Sequence, residues 1–219
     1  MQKNRHGDDN ITFENARKKM VEGLKKHGIE DRVLDAMNQV PRHLFVPEHV
    51  RKQAYVDYPL SIGIGQTISA PHMVAMMCDL LDLDEGMNIL EIGAGCGYHA
   101  AVISELIGDG RVYSIERIAS LAEQARENLR NAGYTTISVV VGDGTLGLQE
   151  HAPYDRINVT CSAPDVPPPL IDQLKEGGKM VIPIGRSFQE LFLIEKNDVI
   201  KKEKKMNVVF VPLVGMYGF

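Results

Sequence analysis

Between residues 88 and 98 the chain reads Asn88-Ile89-Leu90-Glu91-Ile92-Gly93-Ala94-Gly95-Cys96-Gly97-Tyr98: a short apolar run, three alternating glycines, then the start of a helical pattern. Few junctions restrict a fold so strongly. A short apolar run bounded by glycine reads as a buried strand, and glycine lets the backbone turn tightly into a helix. A strand that feeds straight into a helix needs a crossover to reach its next neighbour, which is the unit of a parallel sheet. The rhythm repeats downstream. Residues 111–115 read as a strand, 118–131 as a helix with Leu121, Ala122, Ala125 and Leu129 on one face, and 137–141 and 156–160 as two more strands. A short helix at 170–174 and a strand at 179–184 follow. The pattern predicts an α/β fold: a doubly wound, mostly parallel sheet with helices on both faces. Residues 191–195 and 208–211 read as an antiparallel edge pair, joined by a solvated loop that contains Lys201-Lys202-Glu203-Lys204-Lys205.

The first 60 residues have another texture. An amphipathic helix is expected over 12–27 with Gly28 as its stop, and a second over 31–39 before Pro41. Aromatics, prolines and basic residues fill the stretch to Pro59. We read 1–60 as an N-terminal helical appendage and 61–219 as the main domain, which includes a glycine-rich segment, 61–73, ahead of the sheet. Pro71 opens a helix whose Met73, Met76 and Met77 read as core filling. A chain of 219 residues suits one domain with an attached segment.

Carboxylates narrow the ligand. Glu91 ends the first strand beside the glycine loop, where it would repel a pyrophosphate and suit a cation. The G-x-G-x-x-G dinucleotide pattern also fails, because Tyr98 stands where its third glycine belongs. Glu116 ends the second strand roughly 20 residues after the loop, the spacing at which an acid takes ribose hydroxyls. Asp143, followed by Gly144 after the third strand, could accept from an adenine amino group. Three acids at successive strand ends form a nucleoside site for a positively charged ligand, and S-adenosyl-L-methionine carries a sulfonium and an ammonium with no phosphate. A nicotinamide oxidoreductase is the rival reading of the same loop.

Composition excludes little but consistently. A net charge of −5 argues against nucleic-acid binding through bulk charge. The three cysteines, Cys78, Cys96 and Cys161, form no CxxC pair, so neither a disulfide framework nor a zinc site is expected. No metal is expected elsewhere. The polar N-terminus has no signal-peptide core, and no apolar stretch reaches the roughly 18 residues of a membrane span. A cytoplasmic monomer without membrane contact is the expectation.

The acceptor is less open to first principles. The Asp/Asn-Pro-Pro-aromatic tetrad of amino-methylating nucleic-acid enzymes is absent after the fourth strand, where Thr160-Cys161-Ser162-Ala163-Pro164 stands. Cys161 also lacks the preceding proline of a cytosine-C5 nucleophile. An RNA or small-molecule acceptor remains the alternative. The segment Gly63-Ile64-Gly65-Gln66-Thr67-Ile68-Ser69-Ala70-Pro71-His72-Met73, however, strongly resembles the signature of protein-L-isoaspartate O-methyltransferases. Val40-Pro41-Arg42, Phe45-Val46-Pro47, Ser114-Ile115-Glu116-Arg117, Gly142-Asp143-Gly144, Pro153-Tyr154-Asp155 and Val211-Pro212-Leu213 extend the resemblance over nearly the whole chain from about residue 12. It implies a Rossmann-like class I methyltransferase that repairs protein. The methyl would pass from S-adenosyl-L-methionine, leaving S-adenosyl-L-homocysteine, to the free α-carboxylate of L-isoaspartyl residues in damaged proteins and peptides. On this resemblance Ser69 is catalytic. Thr67, Ile68 and His72 line the substrate side. Glu91, Gly93, Gly95, Glu116, Asp143 and Gly144 bind the cofactor. Read locally, Ser69 before Ala70-Pro71 would be an ordinary helix N-cap. Asn158 and Cys161 depart from the apolar or small residues common in the family.

Overall fold

The computed structural model describes residues 5–219, with side chains from Thr12 onward. Two helices open the chain, α1 (Arg5–Leu24) and α2 (Asp31–Gln39). A short 3-10 turn, Lys25–His27, extends α1, and Gly28 closes it in the left-handed conformation at φ 71°. That conformation is open to glycine without a Cβ penalty, which is why the helix stops there. In α2 the residues Val33, Leu34, Ala36 and Met37 recur at helical spacing and are all buried.

The glycine-rich segment comes next, and it holds a hairpin that its sequence did not signal. Strands β1 (Leu60–Gly63) and β2 (Gln66–Ile68) form a small antiparallel hairpin with Gly63 opposite Gln66. Its two turn residues, Ile64 and Gly65, both have positive φ (53° and 69°), the twist a two-residue hairpin turn requires. Helix α3 (Pro71–Leu81) begins directly after it, with proline in its first turn.

The main sheet comprises β3 (Asn88–Ile92), β4 (Arg111–Glu116), β5 (Ser138–Val141), β6 (Tyr154–Val159), β7 (Leu174–Ile184), β8 (Gln189–Lys196) and β9 (Ile200–Val208), in the order β5-β4-β3-β6-β7-β8-β9. The pairs from β5 to β7 are parallel. Strands β7, β8 and β9 pair antiparallel. The crossovers are α4 (Tyr98–Ile107), α5 (Ala119–Asn131) and α6 (Pro168–Gln173). The chain runs outward from β3 to β5, then returns to lay β6 on the other side of β3. That reversal opens a crevice at the strand ends, where ligands of such sheets bind.

The edge differs from expectation. The Lys201–Lys205 run is not a loop: it lies inside β9, paired to β8 from Gln189↔Val208 to Lys196↔Ile200. Its side chains are mostly solvated, as expected, because β9 ends the sheet. Residues 209–211 do not continue the strand. They lead to a single bridge between Ser162 and Pro212.

Alternation along β3 divides the core in two. Ile89 joins Val33, Met37, Phe45, Met77, Leu81 and Val102 beneath α2, α3 and α4, while Leu90 and Ile92 join Ile157, Leu170 and Met180 on the α6 face. Each fully buried aliphatic side chain contributes about 1.5–3 kcal/mol. Residues of α1 and α2 thus share one continuous core with the sheet. Glu91 lies on the same face as Ile89, in register with Ser114 on β4 and Asn158 on β6, and all three are fully buried.

Candidate active site

The glycine loop fits because nothing larger could. A Cβ on Gly93, whose φ is 94°, would stand 2.4 Å from Thr160 Oγ1. That hydroxyl is fixed by the carbonyls of Gly93 at 2.7 Å and Ile92 at 3.0 Å. A Cβ on Gly144 would meet Ile92 Cγ2, again at 2.4 Å. Both glycines line a cavity with Gln66, Thr67, Glu116, Ile118 and Val214.

Glu116 closes this cavity from β4. Its Oε2 accepts from Gly95 N–H at 3.0 Å and its Oε1 from Ile118 N–H at 2.9 Å. The acid thereby ties the loop to the next strand, and each oxygen keeps a lone pair for a donor in the cavity. Glu91 is placed differently. It sits behind the loop, fully buried, accepts a short hydrogen bond from Ser114 Oγ at Oε2, and leaves Oε1 without a partner. Burial pushes its carboxyl up to about 8, further raised by Glu116, although the Ser114 hydroxyl pulls the other way. Asp143 caps the turn Gly144–Leu146: Oδ1 accepts from Thr145 N–H and Oγ1, and Oδ2 from Met216 N–H at 2.8 Å. Burial opposes its ionisation, yet the bonds from Met216 and Thr145 hold it below the usual carboxylate range.

A second, outer cavity of about 650 Å³ lies on the other side of Thr67 and Thr160, lined by Pro59, Ser69, His72, Met73 and the extended run 207–211. Ser69 also lines a small inner cavity with Ile68, Gly93, Cys96 and Tyr98. The serine is not a helix cap: Ala70 holds that position and no side chain caps α3. Among the described residues the Ser69 hydroxyl makes no hydrogen bond, so it is open to a ligand. His72 stands at the outer cavity, and both its N–H and its Nδ1 reach Asp57 Oδ1, at 2.9 and 2.8 Å. Ile68 is buried and Thr67 exposed, as alternation along β2 dictates.

The fold therefore brings Ser69, Thr67, Gly93, Gly95, Glu116 and Gly144 around connected space, sets His72 at its outer rim, and keeps Glu91 behind the wall. The sequence reading missed Thr160, which lines all three cavities, and the carboxy-terminal run Val211–Val214. The position of Thr160 at the end of β6, beside the switch in strand order, was the available signal. Among the described residues no group of three or more His, Cys, Asp or Glu side chains could hold a metal ion. No described helix is long and apolar enough to cross a membrane.

A loop of obligatory glycines on the first strand, pinned by an acid on the second at the reversal of strand order, is the nucleoside-binding half of a class I, S-adenosylmethionine-dependent methyltransferase. Relatives make the assignment finer. Residues 15–218 match the family model described as protein-L-isoaspartate(D-aspartate) O-methyltransferase. The Methanothrix thermoacetophila protein-L-isoaspartate O-methyltransferase is 59% identical over 204 residues, 93% of this chain and 97% of that one. A solved protein-L-isoaspartate O-methyltransferase superposes with a TM-score of 0.87 at 35% identity, over 92% of this chain and 67% of its own. A Plasmodium falciparum structure described under the same name, in complex with S-adenosyl-L-homocysteine, gives 0.80 at 29% identity, over 90% and 98%. The chain belongs to the protein-L-isoaspartate(D-aspartate) O-methyltransferase family and is an enzyme of that activity.

Proposed function

We propose that Ser69 orients the free α-carboxylate of an L-isoaspartyl residue for methylation, with the peptide entering through the outer cavity and the cofactor held at the glycine loop. The observation that carries this reading is the unengaged Ser69 hydroxyl at the boundary between the outer cavity and the glycine loop. S-adenosyl-L-methionine, when bound, supplies an electrophilic methyl group on a sulfonium. Gly93, Gly95 and Gly144 make room for it and Glu116 accepts its hydroxyl donors. Asp143 shapes the far end through the turn that it caps. Thr67 and His72 border the acceptor, and Ile68 packs the wall behind Ser69. Glu91 supports the loop from below.

An α-carboxyl group ionises near about 3.5, so the acceptor is already a nucleophile at neutral pH and needs no general base. The protein's task is placement. The Ser69 hydroxyl donates to one carboxylate oxygen and leaves the other free to approach the methyl carbon. Thr160, fixed by two carbonyls, keeps that junction narrow. Apolar walls from Met73, Val208 and Phe210 limit water, which would otherwise stabilise the separated charges. We place the enzyme in the cytoplasm, acting as a monomer on damaged proteins and peptides and not on nucleic acid. The acidic net charge supports the exclusion of nucleic acid. The amino-terminal segment serves as an appendage packed on the sheet's core, with Pro59 reaching the acceptor side.

The test is transfer of labelled methyl to two matched peptides, one with L-isoaspartate and one with L-aspartate. Base-labile label on the first alone is expected. Label on neither, or on transfer RNA instead, would overturn the acceptor.

A further inference from the structure

Arg42 is fully buried, and no carboxylate pairs with it among the described residues. Leaving a guanidinium out of water without a counter-ion is costly, so what its donors do contact matters. Here Nε donates to the Ala54 carbonyl at 2.7 Å and Nη2 to the Ser69 carbonyl at 2.8 Å, while Nη1 has no partner among the described residues. The Tyr98 ring covers its face at 4.7 Å from the centroid, and Phe45 meets that ring edge-on at 5.7 Å. The Ser69 carbonyl precedes α3 and has no partner within that helix. The charge is felt nearby: burial first, then Arg42, push the ring of His99 down to about 3, so that this histidine of the inner cavity is neutral.

We propose that Arg42 is a positioning residue for Ser69: its fork spans the Ala54 and Ser69 carbonyls, locks the Ser69 peptide plane, and thereby aims the seryl hydroxyl at the acceptor carboxylate. The inference rests on the role given to Ser69 above. It also makes the N-terminal segment part of the reaction machinery, since the contact joins residue 42 to residue 69 across the hairpin.

Arg42→Lys keeps the charge but replaces a planar fork with one nitrogen, which cannot hold both carbonyls in the same geometry. The experiment is a double-mutant cycle with Ser69→Ala, measured in kcat for the isoaspartyl peptide and in thermal stability. Arg42→Lys alone lowers kcat about 10- to 100-fold, the range for a hydrogen bond to a charged group, with cofactor affinity unchanged. In the Ser69→Ala background the same substitution produces no further fall in kcat, while its cost in thermal stability is the same in both backgrounds. Losses in kcat that multiply would overturn the proposal and leave the role of Ser69 standing. Full activity of Ser69→Ala alone would remove both, and is a separate result. If Arg42→Lys does not fold, Tyr98→Leu, which strips the ring from the guanidinium face, enters the same cycle with the same expected non-additivity.

Discussion

The two walls of the cleft are built by different means. The cofactor wall is backbone: glycines at positive φ, strand ends, and an acid that accepts from two main-chain N–H groups. The acceptor wall is side chain: a free serine hydroxyl, a histidine bound to Asp57, and a buried arginine that reaches a carbonyl 27 residues away. Backbone walls are specified by what must be missing, a Cβ at residues 93 and 144. Side-chain walls are specified by what must be present and aimed. Substitutions should therefore fail on the first wall by steric conflict and on the second by lost direction.

The largest expected effect lies beneath the cofactor wall. The folded-state pKa of Glu91 is raised from 4.5 to about 8, so its contribution to stability is full below about 4.5 and is lost as pH rises through about 8. Stability should fall across that window at up to about 1.4 kcal/mol per pH unit. Glu91→Gln should flatten the fall and overtake the parent protein near the upper end. Denaturant titrations at several pH values decide it, and an unchanged slope counts against the assignment. Gly93→Ala comes next. A loss of about 1–3 kcal/mol in stability and on the order of 100-fold in cofactor affinity should appear by denaturant titration and calorimetry. Normal binding would mean that the loop is not the rigid cradle described.

Ser69→Ala tests the other wall. It should lower kcat about 10- to 100-fold and leave calorimetric cofactor affinity intact. A fall in cofactor affinity instead would erase the division between the walls. Glu116→Gln should weaken cofactor binding about tenfold with a smaller change in the KM for peptide. Lys202→Ala, on the outer strand and paired to Asp165 at 3.3 Å, should shift stability by less than about 0.5 kcal/mol and leave both walls untouched.

The same contrast explains what could be read from the sequence. Strands β3, β4 and β6 were legible because burial in the middle of the sheet demands apolar runs and the loop demands glycine. The β1–β2 hairpin was not, because its turn places β-branched Ile64 at positive φ, where asparagine or glycine is the usual signal. Strand β9 was hidden by lysines, since an edge strand facing water shows no apolar alternation. Helix α6 was read two residues late and β7 five residues late, because Leu174–Gly178 pairs as strand while carrying the charge and glycine of a turn. The acids at the strand ends were visible, but the withdrawal of Glu91 behind the loop depends on pairing with Ser114 and Asn158 in other strands. Thr160 and Arg42 act through contacts far apart in sequence, which no local pattern encodes.

The charged outer strand has a consequence for the company this enzyme keeps. Aged, partly opened chains are adhesive, and an unpaired strand edge is a ready place for them to stick. Lys201, Lys202, Lys204 and Lys205 stand along β9, beyond which the sheet has no further strand among the described residues. A client chain that tried to zip onto that margin would have to strip water from a row of ammonium groups and their carboxylate partners. The margin thus stays clean while the enzyme moves among its clients, and the polypeptide that does adhere is left to find the cleft.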